Sequence, residues 1–278
     1  MTGAAADAWD RAAEGWNRST PLVHAWLRSA TEALIAEARI HAGARVLDLA
    51  AGTGDQTKDI ARAVGPEGEV LATDISPKIL DLARKNIQAA GLTNITFALA
   101  DAEQPLAAML PFDAVLCRLG LMFCLNPAAA LSSAFKALRP GGRFVALVFG
   151  EPASNPCISI MMKVARRRRG FDGSASPCAP GSLFSLSDPG QFAGLLAAAG
   201  YADISVRKVA APFELADAGT YVSFVRDSGS PIMEVLAPLD ADAKRAAWQE
   251  IEDELDRFQS AEGWSGPNEL LLCSASRP

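Results

Sequence analysis

A short apolar run that empties into a glycine-rich turn and then into a helical pattern narrows the folds open to this chain more than any other feature: Val46-Leu47-Asp48-Leu49-Ala50-Ala51-Gly52-Thr53-Gly54-Asp55. Strand, tight turn and helix in that order set backbone N–H groups at the carboxyl edge of a parallel sheet, where nucleotide-like ligands bind. The rhythm continues downstream. Runs at 46–50, 69–74, 95–100, 112–118 and 143–149 read as strands, with helical patterns near 56–64, 77–90 and 127–138 between them. Pro140-Gly141-Gly142 is expected to stop the last helix, because proline cannot continue it and glycine supplies a tight turn. Two further strands near 203–209 and 269–275 would complete the sheet. The expected fold is α/β: a Rossmann-like, seven-stranded, mostly parallel sheet with helices on both faces and a helical cap.

Three segments follow. Residues 1–42, alanine-rich and bearing tryptophans, are expected to form an N-terminal helical cap, and residues 43–150 the nucleotide-type core. Residues 151–278 would finish the sheet, starting with a helix near 155–169, a Gly/Ser/Pro loop at 170–182 and a helix at 188–199. Inside this last segment, a mainly helical insertion near 214–262, with a charged amphipathic stretch at 242–259, is long enough to serve as a lid.

Charge decides what the turn can hold. Gly52 and Gly54 suit several cofactors, but the third glycine of the dinucleotide fingerprint is replaced by Thr57, which argues against NAD. Asp48 and Asp55 crowd the turn and would repel a pyrophosphate while favouring a cationic ligand. Asp55 is equally placed to cap the helix at 56–64. Asp74 ends the second strand, where an acid accepts the two hydroxyls of a ribose; Ser76-Pro77 already supplies the cap of the next helix.

A chain of 278 residues, 50% hydrophobic, can bury a large core, and its net charge of −6 gives no general attraction to nucleic acid or anionic lipid. The basic run Arg166-Arg167-Arg168-Arg169 reads as a solvated helix end. Five cysteines without CxxC spacing indicate reduced thiols and a cytoplasmic setting, and nothing resembles a signal peptide or a membrane span. No His/Asp/Glu cluster suggests a metal site.

The segment 46–55 resembles motif I of class I S-adenosylmethionine (SAM) dependent methyltransferases, and Ala72-Thr73-Asp74-Ile75-Ser76 resembles their acidic ribose loop. Ala100-Asp101-Ala102-Glu103, Phe112-Asp113-Ala114-Val115 and Leu138-Arg139-Pro140-Gly141-Gly142-Arg143-Phe144 are similar to later motifs of the same family, in the family's order. Within that family the motifs resemble those of the ubiquinone/menaquinone-biosynthesis C-methyltransferase-like group, from which the chain departs in its long C-terminal insertion. The resemblance implies SAM as cofactor and S-adenosylhomocysteine as product. It implies contacts to the methionine end from Asp48, Ala50, Gly52, Thr53 and Gly54, to the ribose from Asp74 and Ile75, and to the adenine from Asp101 and Ala102. It places Arg118 at the pocket mouth.

Transfer of a methyl group from a sulfonium is an in-line displacement that needs alignment and exclusion of water more than catalytic side chains. Of two histidines, His41 precedes a turn and reads as a surface residue, whereas His24 lies in the capping region and is a candidate base or an ordinary half-buried histidine. Trp9 and Trp16 share one helical face and either pack the cap or wall the substrate. Met122 and Phe123 are either core or substrate contacts, and Tyr221 and Arg226 are candidates in the insertion, Arg226 as anchor for an anionic acceptor or as an exposed ion pair. The expected activity is methylation of a small aromatic or apolar molecule, homodimer formation being open. An NAD(P)-dependent oxidoreductase and a non-catalytic SAM-fold binding protein are the alternatives.

Overall fold

The structure is a computed structural model that describes residues 2–105, 111–171, 176–228 and 231–278, so that residues 172–175 of the expected 170–182 loop lie outside it. In chain order the strands are β1 Arg45–Leu49, β2 Glu69–Asp74, β3 Ile95–Leu99, β4 Phe112–Arg118, β5 Leu138–Phe149, β6 Ala202–Ala210, β7 Phe213–Leu215, β8 Gln259–Ser260, β9 Gly263–Gly266 and β10 Glu269–Ser276. The helices are α1 Thr2–Arg18, α2 Thr20–Glu37, α3 Asp55–Val64, α4 Pro77–Ala89, α5 Pro127–Ala137, α6 Pro156–Arg168, α7 Pro189–Ala198, α8 Ala218–Asp227, α9 Pro231–Leu236 and α10 Ala241–Leu255.

Seven strands make one sheet in the order β3-β2-β1-β4-β5-β10-β6, with β10 alone antiparallel to its neighbours β5 and β6. From β1 the chain winds outward to β2 and β3, then returns to lay β4 on the other side of β1. That reversal opens a crevice at the carboxyl ends of β1 and β4. The central strands can sit there because they are apolar on both faces: Val46, Leu47, Val115 and Leu116 are fully buried. Register does the rest. Leu49 pairs with Thr73, so β1 ends one residue before β2 does, and Asp74 stands beside the glycine turn.

Helix starts follow their polar residues. Ser76 accepts from the Ile79 N–H at 3.0 Å ahead of Pro77, Asp188 from Gln191 at 2.8 Å, and Asp240 from Ala243 at 2.8 Å. Two expectations change. Pro140-Gly141-Gly142 does not form a separate turn: α5 already ends at Ala137, and the triplet lies within β5, at an irregularity in its pairing with β4 where Gly141 takes φ +77°. The insertion is not wholly helical either, since β7, β9 and β8 form a small antiparallel sheet. Its strands, two to four residues long, carry too little alternation to be read from sequence.

The cap is tied to the core at specific points. Asp10 of α1 accepts from the Ser76 hydroxyl and from the Lys78 N–H. A methyl at Gly15 would overlap the Asp227 carbonyl, so glycine is required where α1 crosses the end of α8. Trp264 of β9 is fully buried, donates to the Leu255 carbonyl at 2.8 Å and stacks on Tyr221. The basic run closes α6 as an exposed helix end, as expected, and there Arg167 and Arg168 also pair with Glu250 of α10. No helix among the described residues is long and apolar enough to cross a membrane.

Candidate active site

A cavity of 510 Å³ opens at the carboxyl ends of β1, β2 and β4 and runs up beneath the cap. Its floor is polar and its roof aromatic. On the floor, Asp74 is buried, and its two carboxylate oxygens each accept a backbone N–H, from Gly52 and from Ser76, both at 3.0 Å. Each oxygen retains a lone pair for a ligand hydroxyl. Burial raises the Asp74 pKa, and the N–H groups of Ser76, Gly52 and Ile75 pull it back down. Asp101 accepts the Glu103 N–H at 2.9 Å, so the loop after β3 folds back with Ala102 facing the cavity.

The strand exits are strained. Ala50 after β1 and Leu119 after β4 take left-handed φ values of +56° and +57°, a conformation costly for residues with a Cβ. A methyl at Gly120 would overlap that of Ala50, so glycine is obligatory where the two turns meet. Both strained residues line the cavity.

Asp48 belongs to the floor but not to its surface. It is fully buried, does not line the cavity, accepts from the Thr57 hydroxyl at 2.6 Å and from the Gln56 amide, and has a pKa raised to about 6 by burial against the pull of those bonds. The expected direct contact of Asp48 with a ligand is therefore replaced by a supporting position, with Gln56 standing between it and the cavity. Thr57, where a dinucleotide enzyme has glycine, holds this carboxylate. Gly54, also expected at the ligand, does not line the cavity; the side on which a Cβ would stand is closed by Ala83 and Ile87, and it gives α3 its left-handed cap.

Asp55 is not the cap of α3 but its first residue, and it is the centre of a charge network. Arg118 reaches it at 2.8 Å, with only 9% and 6% of the two side chains exposed, and also donates to Thr31 at 2.8 Å. His24 Nδ1 lies 2.9 Å from the other Asp55 oxygen. His24 does not line the cavity, and its ring is 41% exposed on the far side of Asp55. His41 is exposed, as expected.

Of the remaining expected residues, Ala50, Gly52, Thr53, Ile75, Asp101, Ala102 and Arg118 face the cavity, as do Trp9, Trp16, Met122, Phe123 and Tyr221. Trp9 meets Phe123 edge-on at 5.2 Å and Trp16 at 6.4 Å, so both tryptophans wall the cavity while packing the cap. Arg226 is corrected: it is exposed, points outward over the Trp248 ring and touches no part of the cavity. Spacing could not foresee this, because a modest rotation of α8 about its axis decides which side faces in.

The roof also holds residues that sequence reasoning missed. Trp26 stacks on Phe213 at 4.0 Å and donates to the Ala211 carbonyl at 2.7 Å, while Phe149, Met161 and Phe224 complete the wall. They come from α2, β5, α6, β7 and α8, and no local pattern unites them. Tyr221 is buried among these rings, which pushes its phenol pKa well up. Burial likewise raises the Cys124 thiol beside the floor. Among the described residues, no group of three or more His, Cys, Asp or Glu is placed to hold a metal ion.

Residues 40–167 match the family model described as a methyltransferase domain, in agreement with the motif resemblance. The ubiquinone/menaquinone biosynthesis C-methyltransferase UbiE of Pseudomonas aeruginosa is 39% identical over 117 residues, 42% of this chain and 46% of that protein. The chain thus matches about half the length of this curated relative. Among solved structures, the YcgJ protein from Bacillus subtilis superposes with a TM-score of 0.60 at 18% identity, covering 90% of this chain and 99% of that one. Phosphoethanolamine N-methyltransferase 2 of Haemonchus contortus, solved with phosphomonomethylethanolamine and S-adenosylhomocysteine, superposes at 0.59 with 17% identity, covering 98% of this chain and 60% of that one. Over most of the chain the similarity is one of fold: a Rossmann-like α/β architecture.

Proposed function

We propose that this chain, which carries a methyltransferase domain over residues 40–167, transfers a methyl group from SAM to a small aromatic or apolar molecule bound under the cap. The observation that carries the reading is the continuity of one cavity, from the Asp74–Asp101 floor to the Trp16–Trp26–Phe224 roof. Such a shape holds a polar donor and an apolar acceptor end to end. The floor fits the donor chemically: Asp74 keeps lone pairs for a ribose, and the missing third glycine leaves no pyrophosphate cradle.

Bound SAM supplies an electrophilic methyl group on a sulfonium, which departs as a neutral thioether once the acceptor has taken the methyl. The chain's own part is to bind, orient and keep out water. Trp9, Trp16 and Phe224 cover the space above the glycine turn with rings, whose faces tolerate positive charge. No histidine lines the cavity, and Asp55 is neutralised by Arg118. An acceptor whose nucleophile needs orientation rather than a strong base fits this wall. His24 then acts as a prop for Asp55 and not as the base. We further place the enzyme in the cytoplasm, with all five cysteines free thiols, acting on a small molecule without nucleic acid or metal.

Titration calorimetry with SAM, S-adenosylhomocysteine and NAD tests the cofactor. SAM and its product are expected to bind and NAD not to; NAD binding without SAM binding would overturn the proposal. Asp74→Ala should weaken SAM by roughly 1–3 kcal/mol, the cost of orphaning buried polar partners. Unchanged affinity would remove the ribose assignment.

A further inference from the structure

A second hollow, of 570 Å³, lies against the outer side of α6. Four side chains, Ile158, Met162, Leu183 and Pro231, line both this hollow and the cavity under the cap, so a single layer of apolar side chains parts the two. Met162 is the pliable member of that layer, an unbranched side chain that repacks at little cost. Half-buried, it packs at the edge of the hydrophobic core, between the two chambers.

The chambers differ in charge. The outer hollow is lined by Lys163, Arg166 and Arg167 and by no carboxylate among the described residues, in a chain whose net charge is −6. Arg167 is engaged with Glu250 and Glu254, and Arg166 is engaged as well. Lys163, exposed on the turn next to Met162, has no ion-pair partner among the described residues. Phe171, 59% exposed, adds an apolar face beside these cations. A cationic mouth on an apolar passage suits one kind of ligand, an apolar body that ends in an anion.

We infer that the two hollows form one elongated site and that the acceptor is an anionic amphiphile, its apolar body passing Met162 under the cap and its carboxylate or phosphate end at Lys163. The inference rests on reading the chamber under the cap as the acceptor's half of a methyltransferase site.

The test uses the full chain with saturating S-adenosylhomocysteine and three probes below their micellar concentrations: decanoate, hexanoate and decyltrimethylammonium. Decanoate is expected to bind more tightly than either of the others. Lys163→Glu should weaken decanoate about tenfold, the scale of one charge-assisted contact, and leave S-adenosylhomocysteine affinity unchanged. Met162→Trp should weaken decanoate while sparing hexanoate, which is too short to span both chambers. Equal binding of the anionic and cationic ten-carbon probes, or decanoate affinity indifferent to Lys163→Glu, would overturn the inference. Decyl phosphate binding more tightly than decanoate would assign the anion as phosphate, and the reverse as carboxylate. Failure of S-adenosylhomocysteine to bind would instead sink the methyltransferase reading, and the decanoate series repeated without it would still decide whether the amphiphile site exists.

Discussion

The floor and the roof of the cavity are held by different forces. At the floor, the ends of β1, β2 and β4 are fixed by buried carboxylates, each satisfied by short hydrogen bonds: Asp48 by Thr57 and Gln56, Asp55 by Arg118, Asp74 by Gly52 and Ser76. At the roof, α1, α2, β7 and α8 meet through rings, with Trp26 on Phe213 and Phe224 between Trp16 and Phe213. Buried charge networks fail when one member is removed, whereas apolar packing weakens in proportion to the area uncovered. Changes at the floor should therefore cost folding and cofactor together, and changes at the roof should cost less and spare the cofactor.

The strongest challenge to that contrast is Arg118→Met. It leaves the Asp55 carboxylate, 6% exposed, with only a half-exposed histidine for company. Removing one partner of a buried pair costs about 3–5 kcal/mol, and urea unfolding should show a loss of that size. A loss below about 1 kcal/mol would mean that the floor is not held by its charges.

Asp48 gives the floor a pH signature. Its pKa in the folded chain is raised to about 6, from an ordinary 3.8. Between those values the folded state binds more proton than the unfolded state, so this carboxyl's contribution to stability falls as pH rises from about 4 to 6 and is constant above. The span corresponds to something on the order of 3 kcal/mol. Asp48→Asn, which keeps one acceptor oxygen and carries no titrating proton, should be progressively more stable relative to the parent across that window. Parallel stability curves for the two proteins would place the titration elsewhere.

The same contrast explains what could be read from the sequence. Floor residues are contiguous along the chain: 46–55, 72–76, 100–103 and 117–118 each combine a strand end with its turn, and sheet register brings them together. The seven-stranded sheet was legible for this reason. Even there, the sequence could not separate Asp74, which faces the cavity, from Asp48, which lies under it, because both are acids at strand ends and only burial distinguishes them. Trp26, Phe149, Met161 and Phe213 lie far apart in sequence and converge through tertiary packing. Arg226 failed for a related reason: an arginine on a half-buried helix can face either side, and here it rests on Trp248.

Phe224→Ala sharpens the comparison from the roof. This ring is half-buried and touches Trp16, Phe213 and Tyr221, so its removal should cost about 1–2 kcal/mol of stability, less than a fully buried phenylalanine. SAM affinity should change by less than about twofold, since the ring's own contacts are with other rings and none of the hydrogen bonds that hold Asp74 runs through it. A SAM affinity that fell as far as with Asp74→Ala would show floor and roof to be one unit.

The smallest effect should come from His24→Ala, at the seam between the two regions. Its contact with Asp55 is short, 2.9 Å, but the ring is 41% exposed and Arg118 already balances the carboxylate, so less than about 1 kcal/mol of stability is at stake. Turnover separates the two roles of this histidine. A prop that acts through Asp55 leaves the single-turnover rate within about fivefold of the parent, with an unchanged pH profile. A general base removed from the site costs about 10²–10⁴ in rate and takes one limb of the pH profile with it. The second result would require the His24 ring to enter the cavity from behind Asp55, a rearrangement that breaks the 2.9 Å contact and makes the floor a moving part of the chemistry.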